Sequence, residues 1–169
     1  MNIRSFAVRA ISAGAVTVAA FAGLTGTAAA APAPAPILHL TLNGPVMPTL
    51  GQNAFCNGLI DTAVETDPAR PGLATVSLTS RGMHGVGPEW TVNPVCRVKV
   101  SISWGGGAFT GQLREFDLNL GEQPGQTVRT EINPGSGAPM IAIGASYVGP
   151  QGDFRPQYSY PVTAVVIVP

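Results

Sequence analysis

The side chains able to do chemistry are few in this 169-residue chain. It holds two histidines, His39 and His84, two cysteines, Cys56 and Cys96, and nine carboxylates. A serine hydrolase needs a nucleophile, a general base and an orienting carboxylate. No Gly-x-Ser-x-Gly run is present, and Ser136, in Pro134-Gly-Ser-Gly137, reads as part of a hairpin turn. His39 falls on the polar side of an alternating segment, and His84 lies in the glycine stretch Arg81-Gly-Met-His-Gly-Val-Gly87. Both therefore read as solvated surface residues rather than as bases. No helix is expected after that stretch, so a phosphate-cradling role there is weakly supported.

The carboxylates lead no further. Glu115 and Asp117 share one side of a strand, roughly 7 Å apart along it, a separation a glycosidase uses. Two acids on an outward β face ordinarily serve solubility. Asp61, Glu65 and Asp67 cluster in sequence, and Asp117-x-Asn119-x-Gly121 is a fragment of a calcium loop, but neither supplies the full run of oxygen ligands. Zinc fails on ligand count, because neither histidine is spaced to complete a four-ligand set with the cysteines. The expectation is no catalytic residue, no metal and no cofactor.

Aromatic side chains offer a different chemistry, since Trp90, Trp104, Tyr158 and Tyr160 would stack on sugar rings if exposed. Trp104 and at least one of the tyrosines lie in phase with apolar neighbours and are expected in the core. Trp90, in Gly87-Pro-Glu-Trp-Thr91, is expected at the surface, and with His84 it forms the candidate surface binding site.

These residues must be positioned by strands. Gly and Pro number 37 together and charged residues are 11% of the chain, a composition of strands joined by many turns. The clearest strand covers residues 95–104, with Cys96, Val98, Val100, Ile102 and Trp104 on one face and Arg97, Lys99, Ser101 and Ser103 on the other. After a turn at Gly105-Gly-Gly107, Phe116, Leu118 and Leu120 alternate with Glu115, Asp117 and Asn119, so acids face the bases of an antiparallel neighbour. Leu38, Leu40 and Leu42 alternate with His39, Thr41 and Asn43 and are expected to face the core. Asn43-Gly-Pro, Met47-Pro and Leu50-Gly read as turns. Further strands are expected over 73–80, 128–132, 141–147 and 157–168, the run 164–168 being buried on both faces, with a possible eighth over 55–60. The best helical candidate, 59–64, is a turn or two at most. Seven or eight such strands make an all-β, antiparallel two-sheet sandwich, immunoglobulin-like, with a small β-barrel as the alternative.

The N-terminus reads as an export signal. Arg4 and Arg9 precede an uncharged apolar run over 10–24, and Thr27-Ala-Ala-Ala-Ala31 offers a small-residue cleavage site. The run is too short and too rich in Ala and Gly to span a bilayer, so no mature transmembrane segment is expected. Residues 1–31 are thus a signal peptide, 32–36 a stiff Pro/Ala stem, and 37–169 a single β domain of ordinary size. Export into an oxidising compartment makes Cys56 and Cys96 a disulfide. Removing Arg4 and Arg9 leaves seven basic residues against nine acidic ones, which excludes nucleic acid as a partner.

An Ala/Gly/Val-rich signal ending in an Ala-Pro repeat, ahead of a Gly/Pro-rich β domain with one cysteine pair, resembles the small exported proteins of high-GC Gram-positive bacteria. Some of those are immunoglobulin-like sandwiches. In antibody-type domains a Trp stands between the two cysteines and a Tyr two residues before the second. Here Trp90 fits, but Pro94 occupies the Tyr position, so the connectivity of such domains is not carried over. The resulting expectation is a secreted, non-catalytic interaction module that binds a protein or glycan at the cell envelope or outside the cell. The alternative is an extracellular β-barrel carrier of an apolar ligand such as a lipid.

Overall fold

The computed structural model describes residues 31–105, 111–149 and 151–169. The segment read as a signal peptide lies outside them except for Ala31, as do Gly106 and Gly107 of the expected glycine turn. The described chain forms β1 (Ala33–Pro34), β2 (Ile37–His39), β3 (Val46–Leu50), β4 (Asn57–Thr66), β5 (Ala74–His84), the short helix α1 (Pro88–Val92), β6 (Val95–Gly105), β7 (Gln112–Gly121), β8 (Thr127–Ile132), β9 (Met140–Ala145), β10 (Tyr158–Ser159) and β11 (Val162–Val166).

Two antiparallel sheets face each other, as expected of a sandwich. The first has the order β10-β3-β4-β5-β8, with β1 pairing the far end of β4, and the second has the order β2-β11-β9-β6-β7. Three consecutive strands, β3, β4 and β5, lie side by side. The constant-type antibody order, ABED on CFG, contains no such triplet. Met47, Ile60, Val76 and Leu78 of the first sheet and Val98, Val100, Ile102 and Leu118 of the second are all but fully buried between the layers.

β6 carries the alternation its sequence predicts. Cys96, Val98, Val100, Ile102 and Trp104 point inward, and β7 pairs with it in one unbroken register from Val95↔Gly121 to Trp104↔Gln112. Lys99 stands opposite Asp117, with Nζ 2.6 Å from Oδ2. Cys96 is bonded to Cys56, which immediately precedes β4, with a Cα–Cα distance of 5.6 Å. The disulfide thus joins the two sheets inside the core.

Several expectations are corrected. Residues 32–36 do not stand off as a stem, because Ala33 and Pro34 pair with Thr66 and Glu65, and the buried Ala35 donates its N–H to Val64 O at 2.9 Å. Alternation over 38–43 is present with the opposite sense: Leu38, Leu40 and Leu42 are exposed, while His39, Thr41 and Asn43 are half-buried. The chain crosses here from the second sheet to the first, and backbone groups at a crossing need side-chain partners. Thr41 Oγ1 accepts the Thr163 N–H, and Asn43 Nδ2 donates to the carbonyls of Val46 and Pro161. The turn signals around Met47-Pro conceal β3, and the helical candidate 59–64 lies within the ten-residue strand β4. Pro48 is accommodated because it lies where the pairing of β10 with β3 ends: it accepts the Tyr160 N–H through its carbonyl and need donate nothing in return. The expected strand over 157–168 is split, β10 joining the first sheet and β11 the second. β11 is buried on one face only, with Val162, Ala164 and Val166 inward and Val165 half-exposed.

Candidate functional site: the outer face of the first sheet

Register brings the exposed residues of four strands into two rows. Tyr158 of β10 is opposite Leu50 of β3, Leu50 is opposite Asn57 of β4, and Asn57 is opposite His84 of β5. Beside that row, the Tyr160 N–H donates to Pro48 O at 3.0 Å, Pro48 is opposite Leu59, and Leu59 meets the stretch of β5 that carries Arg81. These residues line a groove of about 510 Å³.

A β-bulge makes the second row possible. Between the pairs Gly58↔Met83 and Ile60↔Ser80, β4 advances by two residues and β5 by three. With strict alternation Arg81 and His84 would point to opposite faces. The extra residue, Gly82, has φ +94°, and a Cβ placed there would lie 2.5 Å from Glu122 O. Glycine alone accepts that backbone and that contact. Ser80 and Met83 therefore both point inward, while Arg81 and His84 both reach the outer face.

The aromatic wall is held in place. Ser159 is fully buried and its Oγ accepts the Ala145 N–H at 2.6 Å, which turns Tyr158 and Tyr160 outward on either side, 55% and 43% exposed. The Tyr158 ring leans on Tyr147 at a centroid distance of 5.8 Å, and the Tyr147 hydroxyl donates to Ser159 O. Gln157 ties the same segment to β6: its Nε2 donates to the carbonyls of Lys99 and Ser146, and its Oε1 accepts from Lys99 N–H and Gln52 Nε2.

A second groove, of about 460 Å³, adjoins the first and shares Leu50 and Tyr158 with it. Its lining includes Gln52, Asn53, Phe55 and Arg155. Phe55 and Ala54 both have left-handed backbones, φ 44° and 51°, and Phe55 is 78% exposed. Left-handed residues other than glycine cost of order 1–3 kcal/mol each, so an exposed Phe held by two of them is a feature to be accounted for.

Charges on this face are paired. Arg81 Nε and Nη2 donate to Asp61 Oδ2 and Oδ1 at 2.8 and 2.6 Å. These hydrogen bonds, and then the carboxylate charge, hold the guanidinium above its ordinary pKa. Arg155 reaches Glu115 at 3.6 Å and donates to Ser146 Oγ.

The residues singled out from sequence are dispersed by the fold. His84 lines the first groove, at the end of β5 rather than in a loop. Trp90 is not exposed: α1 folds its indole over Gly85, whose missing side chain leaves the space, and Nε1 donates to Glu122 Oε1 at 2.9 Å. Trp104 is in the core as expected, with Nε1 donating to Asn133 O. Both Tyr158 and Tyr160 are outside it. Glu115 and Asp117 turn to different partners, Arg155 and Lys99. Asp61 is engaged by Arg81, Asp67 accepts the Ala69 N–H, and no metal-holding group of three or more His, Cys, Asp or Glu is found among the described residues. Ser136 donates to Pro169 O. His39 and His84 lie in different sheets, and neither makes a hydrogen bond to a serine or carboxylate among the described residues.

Pro48 and Leu50 escape the sequence reading because β3 hides among turn signals, and Asn57 and Leu59 escape it because only 55–60 of β4 is expected as a possible strand, with no facing assigned. Tyr158-Ser-Tyr160, a small polar residue between two aromatics at a strand end, was the one readable signal. Compared with known proteins, the chain matches no family model, no curated protein and no solved structure.

Proposed function

We propose that the protein is a secreted, non-catalytic interaction module that engages a protein or glycan at the cell envelope or outside the cell through the outer face of β10, β3, β4 and β5. One observation carries the reading: two in-register rows of exposed aromatic, aliphatic and hydrogen-bonding residues occupy a sheet face whose rigid core lies behind them. The Cys56–Cys96 disulfide agrees with an extracellular setting, and among the described residues no helix is long and apolar enough to cross a membrane. The carrier alternative asks for an enclosed apolar cavity. Buried side chains of both sheets form one hydrophobic cluster, and the two grooves are lined by residues of the first sheet's outer face and its adjoining loops.

Two measurements test this. Intact mass of protein recovered from culture medium should correspond to a chain starting after Ala30 or Ala31; a full-length mass confined to the cell would defeat the secretion claim. The wild type should co-sediment with isolated envelope fragments, and the double variant Tyr158→Ala/Tyr160→Ala should stay in solution. Equal partitioning of the two proteins would remove this face from the function.

A further inference from the structure

We propose that the two adjoining grooves form one site for an extended, neutral oligosaccharide, an assignment that rests on the binding-module reading above. Tyr160 lines the first groove, Tyr158 is shared by both, and Phe55 lines the second, so three aromatic side chains follow one another along a continuous concavity. The C–H faces of sugar rings stack on such surfaces, and successive aromatics suit successive rings. Both grooves fall within the range of small-ligand sites, and their shared wall favours a ligand long enough to occupy the two together.

Hydroxyl groups need partners between the stacking positions. Asn57 and His84 stand side by side in the first groove, and Gln52 and Asn53 line the second. The guanidinium of Arg81, which lines the first groove, has five N–H donors and spends two on Asp61, so three remain for a ligand.

Charge decides against a polyanion. The first groove carries one cation, Arg81, compensated by Asp61, and the second carries Arg155, compensated by Glu115. An anionic chain would have to displace these carboxylates. Backbone geometry offers little to a peptide added as a strand, because the edge of β3 beside the grooves is already covered by β10, itself an edge of only two residues, and the floor belongs to interior strands. The platform is also pre-organised. Tyr158 is braced by Tyr147, so less side-chain freedom is lost at that ring on binding.

The test is solution NMR and calorimetry on the disulfide-intact protein with cellotetraose, maltotetraose, mannotetraose and chitotetraose. Tetragalacturonate and a proline-rich decapeptide serve as competing chemistries. At least one neutral tetrasaccharide should shift the ring resonances of Tyr158 and Tyr160. Its affinity should fall ~10-fold in Tyr158→Ala and stay within ~3-fold in Tyr158→Phe, which keeps the stacking face. Unchanged near-ultraviolet dichroism from the buried Trp90 and Trp104 certifies the fold of each variant. The assignment is overturned if none of the four sugars shifts those rings, or if tetragalacturonate or the peptide binds there more tightly than all of them. Should the sugars fail while the Tyr158→Ala/Tyr160→Ala protein still loses its hold on envelope fragments, the carbohydrate assignment falls and the binding-module reading stands.

Discussion

The β6–β7 and β4–β5 hairpins are both long antiparallel pairs, yet they are put to different use. β6 and β7 keep register over ten consecutive pairs; the inner residues of β6 from Cys96 to Trp104 are core and are joined there by Leu118 and Leu120 of β7, while Arg97, Lys99, Glu115 and Asp117 lie outside in ordinary alternation. β4 and β5 share the same kind of pairing until Gly82 interrupts it, and from there the outer face collects Arg81, His84, Leu59 and Asn57. Uninterrupted period two builds a scaffold. One inserted residue re-aims the side chains beyond it and turns a sheet surface into a groove.

The disulfide is where the two hairpins are fastened, so its removal should have the largest effect. For a sequence separation of 40, the chain-entropy treatment gives about 4 kcal/mol. Urea unfolding of a Cys56→Ala/Cys96→Ala protein should show that loss with a somewhat steeper dependence on denaturant, because the unfolded chain is no longer cross-linked, and a difference under ~1 kcal/mol would mean the hairpins hold together without it. Next comes the bulge itself. Gly82→Val forces a β-branched side chain into a left-handed backbone against Glu122 O, at an expected cost of about 2–4 kcal/mol. Thermal unfolding gives the size, and the Arg81 and His84 side-chain resonances should move while those of β7 do not. If the variant is as stable as the wild type, the bulge is not required and the contrast between the hairpins collapses. The smallest effect belongs to the regular hairpin's surface. Lys99→Ala removes an ion pair whose carboxylate is mostly solvated, and a shift within ~0.5 kcal/mol is expected. A loss several times larger would show that the outer face of β6 is more than scaffold.

The same contrast explains what could be read in advance. Residues 95–104 and 115–120 were legible because alternation there is unbroken, and it fixed both the inward path of Cys96 and the facing of Lys99 and Asp117. Two-sheet architecture followed from many such segments. The groove was illegible for three physical reasons. Pro48 looked like a turn because its tolerance depends on where a partner strand stops. Arg81-Gly82 looked like the end of a strand because a bulge and a turn ask for the same glycine. At least one of Tyr158 and Tyr160 looked internal, whereas the residue that goes inside is the serine between them, which only its bond to Ala145 reveals. Trp90 was misplaced for a related reason. The space it fills is made by an absent side chain, at Gly85.

Gln157 has a consequence for how the molecule breathes. β10 is two residues long, and an edge strand of that length would fray by itself on the fast end of local unfolding. Yet the side-chain amide of Gln157 bonds both the N–H and the C=O of Lys99 in the opposite sheet, standing in for a neighbouring strand. Tyr158 therefore cannot swing away without exposing the Lys99 amide to solvent. Proton exchange at Lys99 and at Tyr158 should proceed through a shared opening with one free energy. The groove's wall then belongs to the same cooperative unit as the centre of β6, and a ligand that clamps Tyr158 slows exchange in a strand it does not touch.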